Sequence, residues 1–94
     1  MATNTTTKKF NSFISRPLQD CTINDVPGVG KSVASKLLAA NIETPDKLLG
    51  MYFVCDRDPE KMKQWLMTTC DIRAQEAGKI SKALERKSQA AMIC

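Results

Sequence analysis

Prolines at helix boundaries constrain the fold of this chain more than any other feature. Thr44-Pro45 and Asp58-Pro59 each place a side-chain acceptor directly before a proline. Such a pair is typical of an N-cap followed by the first residue of a helix. Arg16-Pro17 marks the opposite boundary, because proline disfavours helical backbone in the residue before it. The chain is therefore predicted to form short helices whose ends are set locally.

The spacing of apolar residues predicts a helix in each segment between these boundaries. Phe10, Phe13 and Ile14 share one helical face, which ends at about Ser15. No stretch alternates with a period of two, so no strand is predicted. The result is an all-α fold, a compact domain of five helices. The remaining four are expected from Lys31 to a left-handed cap at Asn41, from Pro45, from Pro59, and from a cap at Asp71 to about Lys87.

The 94 residues suffice for one small domain. Residues 1–6 are predicted to form a disordered polar tail, and residues 7–94 a single helical domain. A chain of this size buries only about 60–65% of its unfolded surface, so it gains stability from a partner subunit. Its apolar fraction of 43% argues against a wholly disordered chain, and no apolar stretch is long enough for membrane insertion.

Charge and reactive side chains narrow the function. The formal net charge is +4, and both ends of the chain are basic, which fits a polyanionic partner. The sequence has no histidine, and its four cysteines show no Cys-x-x-Cys spacing. Neither a metal nor a cofactor is therefore expected, and a conventional enzyme is improbable. Without an apolar run that would act as a secretory signal, we expect reduced thiols and a location in the nucleus and cytoplasm.

The hairpin sequence Val26-Pro27-Gly28-Val29-Gly30 carries the clearest functional motif. A lysine-bearing amphipathic helix follows it, and the whole resembles the helix-hairpin-helix motif, which binds DNA without sequence specificity. Glycines at 28 and 30 leave room for the backbone to approach a phosphate, and the free amides of the next helix point at the anion. Lys31 or Lys36 can add charge at the same phosphate. The alternative is a tight turn that needs its glycines only for geometry.

A second candidate anion site lies at the start of the last predicted helix, in the sequence Asp71-Ile72-Arg73-Ala74-Gln75-Glu76. Helix N-termini attract anions, and Arg73 supplies positive charge there. Asp71 and Glu76 oppose an anion. A capped helix start without a further role is the alternative.

Residues around the hairpin identify one family. They are Phe13, Pro17, Gly28-Val29-Gly30 with Lys36 and Leu37, Leu49-Gly50, Asp58, and Trp65-Leu66-x-x-Thr69-Cys70. The tryptophan segment lies at a fixed distance from the hairpin, which makes the match far more specific than the hairpin alone. From about Lys9 to Leu84 the chain resembles the barrier-to-autointegration factor family, small chromatin proteins that bridge double-stranded DNA. The resemblance implies a five-helix homodimer with one DNA site per protomer, the two sites facing away from each other.

The resemblance also implies the residues that contact DNA. In the family these come from the hairpin, the helix after it, an N-terminal lysine and the start of the last helix. The chain departs from the family at Gln75, where the family has a lysine, and at Glu76, where it has a neutral glutamine. The matching positions are Lys9, Gly28, Val29, Gly30, Ser32, Val33, Lys36, Arg73, Ala74 and Gln75.

A partner groove is the next implication of the resemblance. The family docks LEM-domain proteins of the inner nuclear membrane across the dimer, at positions that match Leu49, Gly50 and Val54. Asp56 stands where the family has a lysine, and Lys61 where it has a leucine, so LEM-domain binding stays open. The alternative makes Leu49 and Val54 core or dimer contacts.

The polar N-terminus matches a regulatory segment of the family, in which phosphorylation switches off DNA binding. Thr5, Thr6 and Thr7 occupy the matching stretch, directly before Lys8 and Lys9. A phosphate there adds roughly −1.5 to −2 charges beside the lysines. A featureless polar tail is the alternative.

Three classes of function follow from these features. The leading hypothesis is a non-enzymatic homodimer that binds and bridges double-stranded DNA. The second is an accessory helix-hairpin-helix domain of a repair or recombination enzyme, in which Lys31 or Lys36 attacks abasic DNA as a lyase nucleophile. The third is a protein-interaction domain that uses the hairpin as a mere turn.

Overall fold

Five α-helices make up most of the protein, for which a computed structural model describes the backbone of residues 3–92 and the side chains of residues 8–89. No strand occurs in that range. The predicted all-α, five-helix architecture is therefore confirmed. The helices are α1 (Thr3–Ser15), α2 (Lys31–Ala39), α3 (Pro45–Val54), α4 (Pro59–Thr69) and α5 (Ala74–Met92), with single 3-10 turns at Leu18–Asp20 and Ile23–Asp25.

Local sequence sets these helix ends at the predicted positions, although the Thr44 side chain makes no capping hydrogen bond at the start of α3. Pro45 and Pro59 open α3 and α4, and the Asp58 side chain accepts a hydrogen bond of 2.9 Å from the backbone N–H of Glu60. At the end of α2, Asn41 adopts a left-handed φ of 66°. The N–H of Ile42 then donates to the Leu37 carbonyl oxygen at 2.8 Å, which is the pattern of a Schellman cap.

Three helix boundaries differ from the predicted ones. Helix α1 begins at Thr3, inside the segment predicted to be a disordered tail. A threonine in a helix costs only about 0.5 kcal/mol relative to alanine, so the helix can extend through these residues. Helix α5 continues to Met92, beyond Lys87. Asp71 does not cap α5: its φ of 56° ends α4 instead, and the Arg73 carbonyl accepts the first α5 hydrogen bond, from the N–H of Ala77 at 2.8 Å.

Helix α5 lies at the centre of the fold and packs against α1, α3 and α4. Two alanines on its inner face let these helices approach closely, because they add little volume between the axes. The predicted apolar line of α5 is confirmed as core, and the fully buried residues around it come from every other helix and the hairpin. These core residues are Ala77, Ile80, Ala83 and Leu84 of α5, with Phe13, Val26, Leu37, Leu48, Met62 and Leu66. Among residues 3–92, no helix has the length and hydropathy needed to cross a bilayer.

A buried lysine fastens α1 to α5. Lys87 is only 7% exposed, and its Nζ donates to the carbonyl oxygens of Phe13 at 2.6 Å and Ile14 at 3.4 Å, and to that of Arg16. These carbonyls lie at the end of α1, where no further helical turn donates N–H groups to them. Burial lowers the pKa of the Lys87 ammonium. The contact fixes α1 relative to the core and thereby places Lys9 beside the hairpin.

Candidate nucleic-acid interface

The hairpin, residues 26–30, is anchored by two valines. Val26 and Val29 are buried, and the N–H of Val29 donates to the Val26 carbonyl oxygen at 3.0 Å. Between them Gly28 has a left-handed φ of +90°. A Cβ at this position would lie 2.9 Å from the Glu76 carbonyl oxygen and 3.0 Å from Cβ of Lys79. The space at Gly28 is thus taken by α5, and this glycine serves the packing of the hairpin on that helix.

The second hairpin glycine has open surroundings. Gly30 is the N-cap residue of α2 with φ −106°, and a Cβ there would meet nothing within 4 Å. No side chain caps this helix end, and its first internal hydrogen bond runs from the N–H of Ala34 to the Gly30 carbonyl oxygen at 2.9 Å. The amides of residues 31–33 precede that bond and have no acceptor within the helix. The start of α2 therefore presents free N–H groups beside an accessible backbone.

A cleft of about 470 Å³ joins the start of α2 to the start of α5. The hairpin and α2 contribute Gly28, Gly30, Lys31, Ser32, Val33 and Lys36 to it, and α5 with its N-cap contributes Arg73, Glu76 and Lys79. We call this space the hairpin cleft. The two anion sites predicted separately, at the hairpin and at the last helix, are therefore one site. Four cations and one carboxylate line it together with the free N–H groups of a helix start.

Lys36 links the two walls of the cleft. Its Nζ donates to the carbonyl oxygen of Asp71 at 2.8 Å, which lies between α4 and α5. An ammonium has three N–H donors, so this bond leaves two for another acceptor. The lysine predicted to contact phosphate is thus held at the edge of the hairpin cleft by the backbone of the opposite wall.

Glu76 brings negative charge into the hairpin cleft. Its Oε2 lies 3.1 Å from Nη2 of Arg73, while its Oε1 is buried and has no hydrogen-bond partner in the structure. The Arg73 side chain is 82% exposed and that of Glu76 is 21% exposed. The arginine that the sequence assigns to anion binding is consequently paired within its own helix start.

Lys9 flanks the hairpin on its other side. Its Nζ donates to the Val29 carbonyl oxygen at 3.1 Å. A second groove, of about 540 Å³, runs along this side and is lined by Lys9, Val29, Ala34 and Leu38 among others. Leu38 is 59% exposed there. Lys9 is therefore close to the hairpin backbone but does not line the hairpin cleft.

The other residues predicted to contact DNA differ in whether their side chains are exposed. Val29 and Val33 turn their side chains into the core, so they can offer an anion only backbone groups. Ser32 is exposed in the cleft, whereas Ala74 and Gln75 are exposed at the start of α5 without lining it. Sequence reasoning missed Lys79, which stands one turn after Glu76. Its spacing of three residues puts it on the same helical face as Glu76, but the sequence does not show that this face lines the cleft.

The predicted partner positions lie on α3. Leu49 is buried in the core, Gly50 is exposed, and Val54 is 71% exposed. Phe53, a further apolar residue of this helix, is 45% exposed. Phe53 and Val54 together form an apolar surface at the end of α3, which we call the α3 patch.

An ion pair borders the α3 patch. Nζ of Lys61 lies 2.9 Å from Oδ2 of Asp56. The hydrogen bond lowers the pKa of the Asp56 carboxyl and raises that of the Lys61 ammonium. Both residues depart from the family pattern, and the structure shows that they satisfy each other.

The structure describes only the backbone of the threonines predicted to be phosphorylated. Thr5, Thr6 and Thr7 lie on the first turns of α1, and their side chains fall outside the described ones.

In the described part of the chain, no three His, Cys, Asp or Glu residues are grouped so that they can hold a metal ion. Cys21 and Cys70 are buried free thiols.

The fold and the hairpin cleft define a class of protein: a small five-helix domain in which a glycine hairpin and the start of a helix line a basic cleft. Comparison with known proteins narrows this class. A family model described as "Barrier to autointegration factor" matches residues 4–91. The chain belongs to the barrier-to-autointegration factor family.

Named relatives agree with this assignment at low identity. The chain is 25% identical to barrier-to-autointegration factor of Drosophila melanogaster over 72 residues, which cover 77% of this chain and 80% of the relative. It is 25% identical to the protein of Homo sapiens over 73 residues, covering 78% and 82%. Barrier-to-autointegration factor A of Xenopus laevis is 24% identical over 72 residues, covering 77% and 80%. The resemblance drawn from the sequence is confirmed, and the chain is a divergent member.

Proposed function

We propose that this protein binds double-stranded DNA without sequence specificity, through the hairpin cleft. The observation that carries the proposal is the union of two anion sites in one space, with open room at Gly30. A phosphate seated beside Gly30 meets the free amides of residues 31–33 and the positive end of the α2 dipole. This arrangement supports a backbone-to-backbone contact between protein and DNA.

Lysines on both walls add charge around that phosphate. Lys31 and Lys36 stand on α2, and Lys79 stands on α5. Each neutralised phosphate releases counterions, so binding weakens as salt rises. Neither amide–phosphate nor lysine–phosphate contacts read base identity, and the buried valines of the hairpin cannot reach a base edge. Affinity is therefore expected to be nearly the same for unrelated sequences.

Bridging requires two such clefts in one particle. We propose a homodimer that uses the α3 patch, since Phe53 and Val54 are large apolar side chains left exposed on a small chain. An obligate interface of this kind buries about 1,200–2,000 Å² in total. A dimer with one cleft per protomer can hold two duplexes, which supports a role in chromatin and nuclear-envelope organisation.

Family membership supports a proposal on partners and location. We propose a nuclear and cytoplasmic protein whose α3 surface, including Gly50 and Val54 but not the buried Leu49, meets either its own copy or a LEM-domain protein of the inner nuclear membrane. Phosphorylation of Thr5, Thr6 and Thr7 would place negative charge on the helix that carries Lys8 and Lys9. We expect this modification to release DNA.

A non-enzymatic role agrees with the chemistry of the site. A lyase reaction on abasic DNA needs a lysine with a lowered pKa that is free to attack. Burial does lower the pKa of Lys87, but its nitrogen donates to carbonyl oxygens at the end of α1. Lys87 also does not line the hairpin cleft. The structure thus offers no support for the accessory domain of a repair enzyme as a lyase.

The proposal is tested by Gly30→Glu. A carboxylate at this position occupies the space for the phosphate and repels it, so duplex binding should be lost while circular dichroism stays helical. Gly78→Glu is the matched control, because a Cβ at Gly78 also meets nothing within 4 Å and this residue does not line the cleft. Titrations with unrelated duplexes at two salt concentrations measure affinity, and light scattering measures bridging. A folded Gly30→Glu protein with wild-type affinity would exclude the hairpin as the DNA site.

A further inference from the structure

We propose that Glu76 limits the DNA affinity of the hairpin cleft by holding Arg73 as an internal ion pair. The inference rests on the proposed function, because it concerns the same cleft and its phosphate ligand. Glu76 competes with that phosphate for Arg73. It thereby sets how tightly and how long the protein stays on DNA.

The position of Glu76 supports this role. Its carboxylate is the single acidic group among the described residues lining the hairpin cleft. Lys36 spans the same cleft to Asp71 through a backbone carbonyl, so it contributes charge without being neutralised. Arg73, by contrast, is paired at 3.1 Å with Glu76. The pair removes one of four cations from the cleft before a phosphate arrives.

The state of the carboxylate points the same way. One oxygen of Glu76 accepts from Arg73, and the other is buried without a partner. A carboxylate prefers several donors, and a buried oxygen without one is unfavourable. A phosphate that enters the cleft adds a second anion close to this poorly satisfied group. Repulsion between the two charges weakens binding, and Arg73 must leave Glu76 before it reaches the phosphate.

The geometry of Arg73 makes this exchange feasible. Its side chain is 82% exposed, so the guanidinium can turn from Glu76 toward DNA without disturbing the core. Arginine binds phosphate and carboxylate with the same fork of N–H donors. Because the arginine end of the pair is open to solvent, water screens the attraction, and a phosphate can displace the carboxylate. The DNA complex should therefore exchange faster than one with a neutral residue at position 76.

Glu76→Gln tests the inference, because it removes the charge and keeps the shape. We expect duplex affinity to rise about fivefold, the effect of one charge a few ångströms from the phosphate in a watery cleft. The dissociation rate should fall by a similar factor. If Arg73 then reaches a phosphate, the slope of log affinity against log salt should steepen by about 0.9. Glu60→Gln is the control, since it makes the same charge change on an exposed residue outside the hairpin cleft.

A second variant separates a specific effect from a general one. In an Arg73→Ala background, Glu76→Gln should tighten binding by a clearly smaller factor, because there is no guanidinium to release. An unchanged affinity in Glu76→Gln, or a gain no larger than that of Glu60→Gln, would overturn the inference while wild-type binding stands. If the wild-type protein does not bind duplexes at all, the proposed function itself fails. Far-ultraviolet circular dichroism confirms that the variants compared are folded.

Discussion

The carbonyl oxygen of Glu76 lies 2.9 Å from the point where a side chain at Gly28 would begin. This distance shows that the two hairpin glycines have different structural roles. Gly28 lets the hairpin touch α5, and its φ of +90° suits no other residue well. A Cβ at Gly30 would meet nothing within 4 Å, so the space beside this residue is open to solvent. Gly28 therefore lets the hairpin pack against α5 to form the cleft, and Gly30 leaves space in the cleft for a ligand.

Gly28→Ala should accordingly destabilise the fold. The added Cβ meets backbone, which cannot move aside cheaply, and the left-handed φ adds strain. We expect a loss of about 2–3 kcal/mol in the free energy of unfolding. Urea denaturation followed by circular dichroism measures it. Gly30→Ala is the matched control, and it should change stability by less than about 0.5 kcal/mol; equal losses in both variants would refute this division of roles.

Local sequence signals were enough to predict most of the fold. Thr44-Pro45, Asp58-Pro59 and Asn41 mark helix ends through interactions within a few residues, so no tertiary information was needed. Residues 3–6 and 88–92 escaped the same reasoning. Their polar or weakly periodic sequences contain no local signal for a helix, and the helices extend by continuing from stable neighbours.

The candidate site could be predicted in its parts but not in its assembly. The hairpin and Arg73 were recognisable as anion-binding elements, yet their union depends on the packing of Gly28 against α5. Lys79 was missed because an isolated lysine on a helix surface has no distinctive sequence pattern. The exposure of Phe53 could not be predicted for a related reason: apolar spacing indicates one face of a helix, but it does not show how far the neighbouring helices cover it.

Lys87 provides a second test of the fold. Lys87→Met keeps most of the side-chain volume but removes the donor for the carbonyl oxygens at the end of α1. Leaving these acceptors unsatisfied should cost about 1–2 kcal/mol, with the effect concentrated in the docking of α1. Relative to the wild type, the Lys87→Met variant should show faster hydrogen exchange at the amides of α1 and little change at those of α4. Lys82→Met, on an exposed position of the same helix, should leave both unchanged.

Asp25 should make part of the stability depend on pH. Its carboxylate accepts from the backbone N–H of Thr22 at 2.8 Å, and this bond, aided by Arg16, lowers its pKa. The folded state therefore binds the proton less tightly than the unfolded state. Stability from this group is present above the unfolded pKa, near 3.8, and is lost as the pH falls through the lower folded value.

Asp25→Asn tests that dependence. The wild type should exceed the variant by about 1 kcal/mol near neutral pH, the usual value of such a local cap. The difference should shrink as the pH falls below 3.8 and through the lower pKa of the folded state, because the wild-type carboxyl then takes up its proton. Chemical denaturation at a series of pH values gives the curve. Asp20→Asn controls for the loss of one surface charge, and a pH-independent gap between wild type and Asp25→Asn would contradict the assignment.

The α3 patch should mediate self-association. Val54→Asp places a charge on a side chain that is 71% exposed in the protomer and, in the proposed dimer, lies against its copy. We expect the wild type to sediment as a dimer and the variant as a folded monomer at micromolar concentration. Leu38→Asp is the control on the other exposed apolar residue, in the groove beside Lys9. If Leu38→Asp dissociates the particle and Val54→Asp does not, the interface lies on α2 instead.

Lys36 offers the most quantitative test of the DNA site. Its ammonium is bound to the Asp71 carbonyl oxygen at the edge of the hairpin cleft, with two donors left for a phosphate. Lys36→Met preserves the aliphatic stem and removes the charge, so the fold should persist.

The effect on binding should have a specific form. Affinity should fall by a similar factor for unrelated duplexes, because a phosphate contact carries no base information. The slope of log affinity against log salt should decrease by about one, the signature of one lost phosphate contact. Lys47→Met removes the same charge from a residue that pairs with Glu43 outside the cleft, and its slope should match the wild type. A Lys36→Met slope equal to that of Lys47→Met would show that Lys36 does not touch the phosphate.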